Sequence, residues 1–287
     1  MKTFRNLAAL MLAMAMVFSL AACSGGSGNN SQPPSNEPDN PGHSESSEAP
    51  SDEPAGDAPT FATVESGKLH MATNAQFPPY EMTTDSGGYE GIDVEIATAI
   101  AAKLGLELVV DDMDFKTVIT AVQQGISDMA MAGLTVDPER EKNVDFTVSY
   151  ATGVQVIIVT KDSDIASVDD LGGKLIGVQE GTTGWMYCSD DYGDDAVVAY
   201  DNGSAAVQAL LAGSVDCVVI DNEPAKAYVA ANAGLKILDT EYVVEDYAIG
   251  VSKDNPALRD AINAALEELI ADGTVKDIID KYIPPEG

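Results

Sequence analysis

Two segments place polar groups at the end of a predicted strand, where they can hold charged partners. The turn 181–184, Gly-Thr-Thr-Gly, follows the apolar segment 175–178 and precedes a predicted helix. The first N–H groups of a helix, with two hydroxyls beside them, favour an anion. Asp221 ends the apolar segment 215–220, so its carboxylate emerges at the carboxyl edge of a sheet, where α/β proteins bind ligands. These features predict an anion site and a cation site, unless they are only a capped turn and the N-cap of a helix near Glu223.

Arg140 carries the side chain best suited to hold a carboxylate, because its planar guanidinium donates two parallel hydrogen bonds. By composition alone, its segment Asp-Pro-Glu-Arg would be a solvated surface turn. Catalytic groups are sparse, since the only histidines are His43 and His70. No Ser-His-Asp, Cys-His or metal-binding spacing is present. A carboxylate-based active site remains open.

Alternating strands and helices have to position these groups. Segments 68–71 and 106–110 are predicted to be short buried strands, and between them apolar residues recur at every fourth position on one helical face. These residues are Ile92, Ile96, Ile100 and Leu104. Asp93 is the predicted N-cap of this helix and Gly105 its end. Segments 115–122 and 129–132 add a helix and a strand, and this βαβ order predicts an α/β fold with a mostly parallel sheet.

The same helix, glycine, acidic turn and strand return later in the chain. Gly125 and Asp128 are repeated 88 residues on as Gly213 and Asp216. This pattern is common in α/β units. Together with the length of the chain, it favours two similar lobes.

The first 22 residues have the order of an export signal. Lys2 and Arg5 precede the apolar run 7–20, which is short for a membrane span. The run ends in Leu20-Ala-Ala-Cys23, which resembles the bacterial lipobox. We therefore expect a signal peptide over 1–22 and a lipidated Cys23 whose acyl chains hold the protein on a membrane.

Residues 23–60 are predicted to be a disordered tether after the lipidated cysteine. The stretch is rich in Ser, Gly, Asn and Pro and has seven acidic residues with no Lys or Arg. Such a composition buries too little apolar surface to fold.

Charge and cysteine content limit the classes of partner. The chain has 47 acidic and 15 basic residues, a net charge of −32, which argues against nucleic acid and anionic membrane surfaces. Cys188 and Cys217 are either a disulfide of an exported protein or two small core residues.

Several motifs, in order and with ordinary spacing from about Lys68 to Ile283, resemble the solute-binding protein family 3. They are Thr73-Asn-Ala-Gln-Phe-Pro-Pro-Tyr-Glu81, Gly91-Ile-Asp-Val-Glu95, Asp128-Met-Ala-Met-Ala-Gly-Leu-Thr-Val-Asp-Pro-Glu-Arg140, Gly177-Val-Gln-Glu-Gly-Thr-Thr183, Val215-Asp-Cys-Val-Val-Ile-Asp221 and Ala271-Asp-Gly-Thr-Val275. The resemblance implies a two-lobed type II periplasmic-binding-protein fold with two hinge strands. Residues 61–153 and 247–287 would form lobe 1, and 154–246 lobe 2.

The resemblance also implies a site for one polar amino acid between the lobes. Its implied contacts are Asn74, Phe77, Phe115, Gly133, Thr135, Arg140, Gln179, Thr182, Thr183 and Asp221. Arg140, Thr182 and Thr183 would hold the ligand carboxylate, and Asp221 its ammonium. This division makes chemical sense, because each buried charge of a zwitterion needs a partner. The two phenylalanine rings would enclose the ligand side chain.

The ligand side chain is expected to be polar uncharged or basic. Asn74 lies where family members that bind basic amino acids or glutamine carry Asp, which weakens the case for a cation. Glu81 or Glu180 could still supply a carboxylate, and Trp185 could narrow the pocket.

The expected function is an extracytoplasmic, lipid-anchored, monomeric receptor without cofactor or metal. It would deliver a free amino acid to the permease of an ABC importer and would not be an enzyme. A dehydratase-like enzyme on a related fold and a sensory ligand-binding domain are the alternatives.

Overall fold

The computed structural model describes residues 61–239 and 242–285. The predicted signal peptide, Cys23 and the tether lie outside the described residues. Among the residues described, the helices are too short or too polar to cross a bilayer.

Strands and helices alternate along the described chain. The strands are β1 (Lys68–Thr73), β2 (Gln76–Phe77), β3 (Glu81–Thr83), β4 (Tyr89–Glu90), β5 (Glu107–Asp112), β6 (Met129–Ala130), β7 (Val144–Phe146), β8 (Ala151–Thr160), β9 (Ile176–Gln179), β10 (Val197–Tyr200), β11 (Cys217–Asp221), β12 (Leu235–Ile237), β13 (Val243–Tyr247) and β14 (Gly250–Ser252). The α-helices are α1 (Ile92–Lys103), α2 (Val118–Gln123), α3 (Thr183–Tyr192), α4 (Gly203–Leu211), α5 (Asn222–Ala231), α6 (Pro256–Ala271) and α7 (Thr274–Tyr282). Short 3-10 helices include Phe115–Thr117 and Arg140–Lys142.

Two larger sheets divide the elements into two lobes. Lobe 1 is the sheet β5-β1-β6-β14-β7 with the small sheet β2-β3-β4 and the helices α1, α2, α6 and α7. Lobe 2 is the sheet β10-β9-β11-β8-β12, in which β13 also pairs with β8, and the helices α3 to α5. The predicted two-lobed α/β fold is confirmed.

The expectation of mostly parallel sheets is wrong. In lobe 1 the β1/β5 and β1/β6 pairs are parallel, but β14 runs antiparallel to β6 and β7. In lobe 2 the β9 pairs are parallel, but β8 runs antiparallel to β11, β12 and β13. Both sheets are mixed because β8 enters lobe 2, and β14 re-enters lobe 1, against the direction set by the βαβ units.

The chain crosses between the lobes beside one antiparallel pair, β8 and β13. Ala151 at the start of β8 pairs with Tyr247 at the end of β13, and Gln155 pairs with Val243. These are the two hinge strands that the fold requires, and they bring side chains from both crossings next to each other.

The helix predicted from the isoleucine spacing is α1, and its three isoleucines are fully buried. The predicted N-cap is wrong, because Gly91 occupies that position and Asp93 lies inside the helix, completely buried. One carboxylate oxygen of Asp93 accepts hydrogen bonds from the Gly133 amide at 2.8 Å and from the Tyr150 hydroxyl at 2.9 Å. This aspartate therefore fixes a loop of lobe 1 instead of capping its own helix.

The repeated glycine and aspartate have the same position in both lobes. Asp128 accepts the backbone N–H of His70 in β1 at 2.8 Å, and Asp216 accepts that of Leu175, just before β9, at 2.7 Å. In each lobe, the aspartate just before one strand thus hydrogen-bonds to the segment of the parallel strand beside it.

Cys188 and Cys217 are free thiols buried in one apolar cluster of lobe 2. Burial raises the pKa of each thiol to about 12. In this structure they are small core residues and form no disulfide.

Candidate functional site

One cavity of about 300 Å³ lies between the lobes. It is lined by Asn74, Phe77, Phe115, Ala132, Gly133, Thr135, Arg140, Gln179, Thr182, Thr183 and Asp221. The structure therefore brings together all ten residues predicted from the sequence and adds Ala132. Elements of both lobes contribute to the lining.

Arg140 begins a 3-10 helix of lobe 1 and is only 6% exposed. Its Nη1 donates to the Thr135 carbonyl at 2.9 Å, and its Nη2 donates to the Gly181 carbonyl of lobe 2 at 3.1 Å. The guanidinium carbon lies 5.5 Å from the centre of the Phe115 ring. Among the described residues no carboxylate lies within ion-pair distance of it. The guanidinium is thus a buried cation held by two neutral carbonyls, which leaves its charge available to an anion.

The Gly-Thr-Thr-Gly turn opens α3, as predicted. Thr182 is the N-cap, and its hydroxyl accepts from the Trp185 amide at 3.1 Å and donates to the Gln179 carbonyl at 2.8 Å. Thr183 is the first helical residue and is buried. A helix start leaves backbone N–H groups without partners within the helix. Those groups and Arg140 make one end of the cavity favourable to a carboxylate.

Asp221 ends β11 and is 6% exposed. It occupies the N-cap position of α5 but makes no side-chain capping bond. Its carboxylate instead accepts from Gln155 Nε2 at 2.9 Å and from the Tyr247 hydroxyl. Burial, and then the nearby charge of Glu245, raise the pKa of Asp221 to about 7. The alternative role as a helix cap is therefore not the one that this side chain has.

The part of the cavity wall formed by Phe77 depends on a glycine. Gly133 has φ +53, and a Cβ there would lie 2.8 Å from Cε1 of Phe77. A larger residue would displace the ring and adopt a strained backbone conformation. The amide of Gly133 is occupied by Asp93. Tyr80 packs edge-on against Tyr247 with ring centres 5.2 Å apart and does not line the cavity.

Two amides from opposite lobes meet at another part of the lining. Gln179 Nε2 donates to Asn74 Oδ1 at 3.1 Å, and Asn74 Nδ2 donates to the Met113 carbonyl at 2.9 Å. Neutral hydrogen-bonding groups of this kind serve a polar side chain, charged or uncharged.

The other candidates for shaping this region do not line the cavity. Glu180 pairs with Lys116 at 2.6 Å. Glu81 is fully buried, and neither of its carboxylate oxygens has a hydrogen-bond partner among the described residues. Burial, and then the Asp93 carboxylate, raise the pKa of Glu81 well above its usual range. Trp185 packs against the apolar cluster of lobe 2.

The lobes touch each other across the cavity. Besides the Arg140 and Gln179 bonds, the Lys116–Glu180 ion pair joins them, and the Tyr228 hydroxyl donates to the Gln76 carbonyl at 3.0 Å. The structure therefore has the lobes closed on the cavity.

Sequence reasoning missed the second layer around Asp221, which consists of Gln155, Glu245 and Tyr247. These residues come from β8 and β13, which are far apart in sequence and adjacent only in the sheet. The sequence does contain one indication: Glu245 and Tyr247 are two positions apart, and residues two positions apart on a strand lie on one face.

The chain is similar to known transport proteins. The sequence model of the bacterial extracellular solute-binding proteins, family 3, matches residues 69–285. The arginine-binding extracellular protein ArtP of Bacillus subtilis is 34% identical over 234 residues, which cover 77% of this chain and 89% of ArtP.

Solved structures of an ancestral arginine-binding protein are similar over most of both chains. The one bound to glutamine is 41% identical, has a TM-score of 0.73 and covers 76% of this chain and 99% of its own. The one bound to arginine is 43% identical, has a TM-score of 0.71 and covers 75% and 98%.

Proposed function

Because this chain belongs to the bacterial extracellular solute-binding proteins, family 3, we propose that it captures one free amino acid with a basic or polar uncharged side chain and delivers it to an ABC importer. The relatives named for arginine and glutamine support this choice of ligand.

The observation that carries the proposal is a pair of opposite charges at one small cavity. Arg140 has no ion-pair partner among the described residues, and Asp221 is bound by an amide and a hydroxyl. A buried ion without a counter-ion is unfavourable by several kcal/mol. A zwitterion supplies both missing charges, with its carboxylate toward Arg140 and α3 and its ammonium toward Asp221.

The side chain of the ligand lies between the rings of Phe77 and Phe115 and reaches the amide pair Asn74–Gln179. Among the described residues, Arg140 is the only cationic side chain in the lining of the cavity, and on this proposal it holds the α-carboxylate. A second acidic group of the ligand would be buried there without a counter-ion, so glutamate and aspartate should bind poorly.

Closure couples binding to transport. The ligand joins groups of both lobes and so stabilises the closed arrangement over the open one. The importer then takes the ligand from the closed form. The receptor acts as a monomer, held on the cell membrane by the lipid on Cys23. It releases its ligand to the importer chemically unchanged.

The test is a panel of the twenty amino acids in a thermal-shift assay. The protein is first unfolded in guanidinium and refolded to remove any ligand that was purified with it. A ligand that binds only the folded state adds about 2.7 kcal/mol of apparent stability at a hundredfold excess over its Kd. We expect arginine, glutamine or a related amino acid to raise the melting temperature, and glutamate to have no effect.

The outcomes separate receptor from enzyme and from other receptors. If no amino acid raises the melting temperature and a sugar or a metal ion does, the proposal is wrong. Mass spectrometry of the ligand after incubation decides about turnover, because a changed mass would identify an enzyme.

A further inference from the structure

A second carboxylate lies behind Asp221. Glu245, on β13, is 5% exposed. Gln155 Nε2 donates to Glu245 Oε2 at 2.9 Å and to Asp221 Oδ2 at 2.9 Å. One amide nitrogen therefore bridges two buried carboxylates.

Glu245 also reaches the lobe 1 side of the cavity. Its Oε2 accepts from the hydroxyl of Thr135, a lining residue, at 3.3 Å. Its Oε1 is buried and has no hydrogen-bond partner among the described residues. A buried carboxylate oxygen without a partner is unfavourable and attracts a cation.

Tyr247 extends from the same face of β13, two residues after Glu245, and donates to Asp221. It can do so because Gly153 on β8, which pairs with Glu245, has no side chain; a Cβ there would lie 2.2 Å from the tyrosine hydroxyl oxygen. A single hinge strand thus contributes two side chains to the surroundings of Asp221.

The charge balance around the two carboxylates favours a cation. The other titratable and charged groups that act on them are Tyr80, Glu81, Arg140, Tyr187 and Tyr247. Arg140 is the only permanent cation among these groups, and the ligand carboxylate would neutralise it. The two carboxylates are then left with negative charge, which either a proton or an incoming ammonium can balance.

We propose that Glu245 is a positioning residue for ammonium capture. It holds Gln155 and Thr135 in place and gives the ammonium end a second negative charge, so that Asp221 releases a proton to solvent when the ammonium enters. This inference rests on the proposed function, because it requires an amino-acid ammonium at Asp221. The raised pKa of Asp221, to which the charge of Glu245 contributes, agrees with a proton held on Asp221 near neutral pH.

The test compares the wild type with Glu245→Gln, which keeps the shape and removes the charge. The matched control is Asp246→Asn, because Asp246 is the next residue on the strand and is exposed. Binding of the amino acid found in the panel is measured by calorimetry from pH 5.5 to 8, in buffers that differ in heat of ionisation. The dependence of the binding enthalpy on the buffer gives the number of protons exchanged.

We expect the wild type to release protons, up to one for each ligand bound below about pH 7, so that its Kd rises as the pH falls. At pH 8, Glu245→Gln should raise the Kd about ten- to hundredfold. The ratio of variant to wild-type Kd should shrink toward pH 5.5, because the variant has less proton competition at Asp221. Asp246→Asn should match the wild type throughout.

A purely structural role for Glu245 would lower affinity by the same factor at every pH, and that result would overturn the inference. So would an unchanged Kd in Glu245→Gln. If Glu245→Gln melts far below the wild type without ligand, only the proton release of the wild type is used as the test. Binding without proton release would then overturn the inference. A wild type that binds no amino acid would overturn the proposed function itself.

Discussion

Replacing Arg140 by alanine removes the one buried cation of the cavity and leaves a ligand carboxylate without a counter-ion. Truncating one partner of a buried charge pair weakens binding by about 2 to 5 kcal/mol, which is roughly 30-fold to several-thousand-fold in Kd. We expect Asp221→Ala to have an effect of the same size at the ammonium end. The two losses should not add, because Arg140 also joins the lobes through Gly181 and either change already weakens the closed state that both contacts require.

Calorimetry on the two single variants and the double variant measures this coupling. Arg259→Ala is the matched control, because Arg259 pairs with Asp145 and Asp260 away from the cavity. Melting without ligand should change far less than binding, since the Arg140 guanidinium bonds only to two carbonyls. Wild-type affinity in either single variant would remove that residue from the site. Strictly additive losses would show that the two ends of the ligand are not coupled through closure.

Three further changes test separate parts of the structure. Between pH 5 and pH 8, the melting temperature of Glu81→Gln should fall less than that of the wild type. A carboxyl with a raised pKa stabilises the fold below about pH 4.3 and loses that contribution as the pH rises. A parallel pH dependence of the melting temperature in both proteins would contradict this. Lys116→Met should weaken ligand binding at most a few-fold, and less in high salt, because it removes an exposed ion pair between the lobes; calorimetry at two salt concentrations would refute it by showing a large, salt-independent loss. Gly133→Ala and the control Gly105→Ala should each lower the free energy of unfolding in urea by about 1 to 2 kcal/mol, because both positions have positive φ. Only Gly133→Ala should also weaken ligand binding, because its Cβ clashes with Phe77. Equal Kd values for the two variants would refute this.

The parts of the site that follow from local sequence could be predicted. Thr182 caps α3 and Asp221 ends β11 because a strand, a turn and a helix follow each other within a few residues. Local pattern did not separate the roles of acidic residues. Asp93 has the sequence context of a helix cap, yet it bonds to Gly133, forty residues away.

The second layer of the site could not be predicted from the sequence for a related reason. Gln155 and Glu245 are ninety residues apart, and only the antiparallel pairing of β8 with β13 brings them within hydrogen-bond distance. The sequence motifs of the family mark the residues at the cavity and leave this layer unmarked. These residues could not be identified because their geometry depends on sheet register, which a single sequence determines weakly.

The two charged groups at the cavity explain how closure of the lobes can require the ligand. Closing the lobes removes Arg140 and Asp221 from water, and the protein supplies neither with an opposite charge at bonding distance. The bonds that the lobes make to each other, such as Gln179 to Asn74 and the exposed Lys116–Glu180 ion pair, give neither of these two groups a counter-ion. If the proposed function is right, the bonds between the lobes offset only part of the cost of burying the charges of Arg140 and Asp221, and a zwitterion offsets the rest. A ligand with only one of the two charges would leave the other buried and unpaired, so closure selects free amino acids over simple amines or carboxylic acids because it is favourable only when both ends are satisfied.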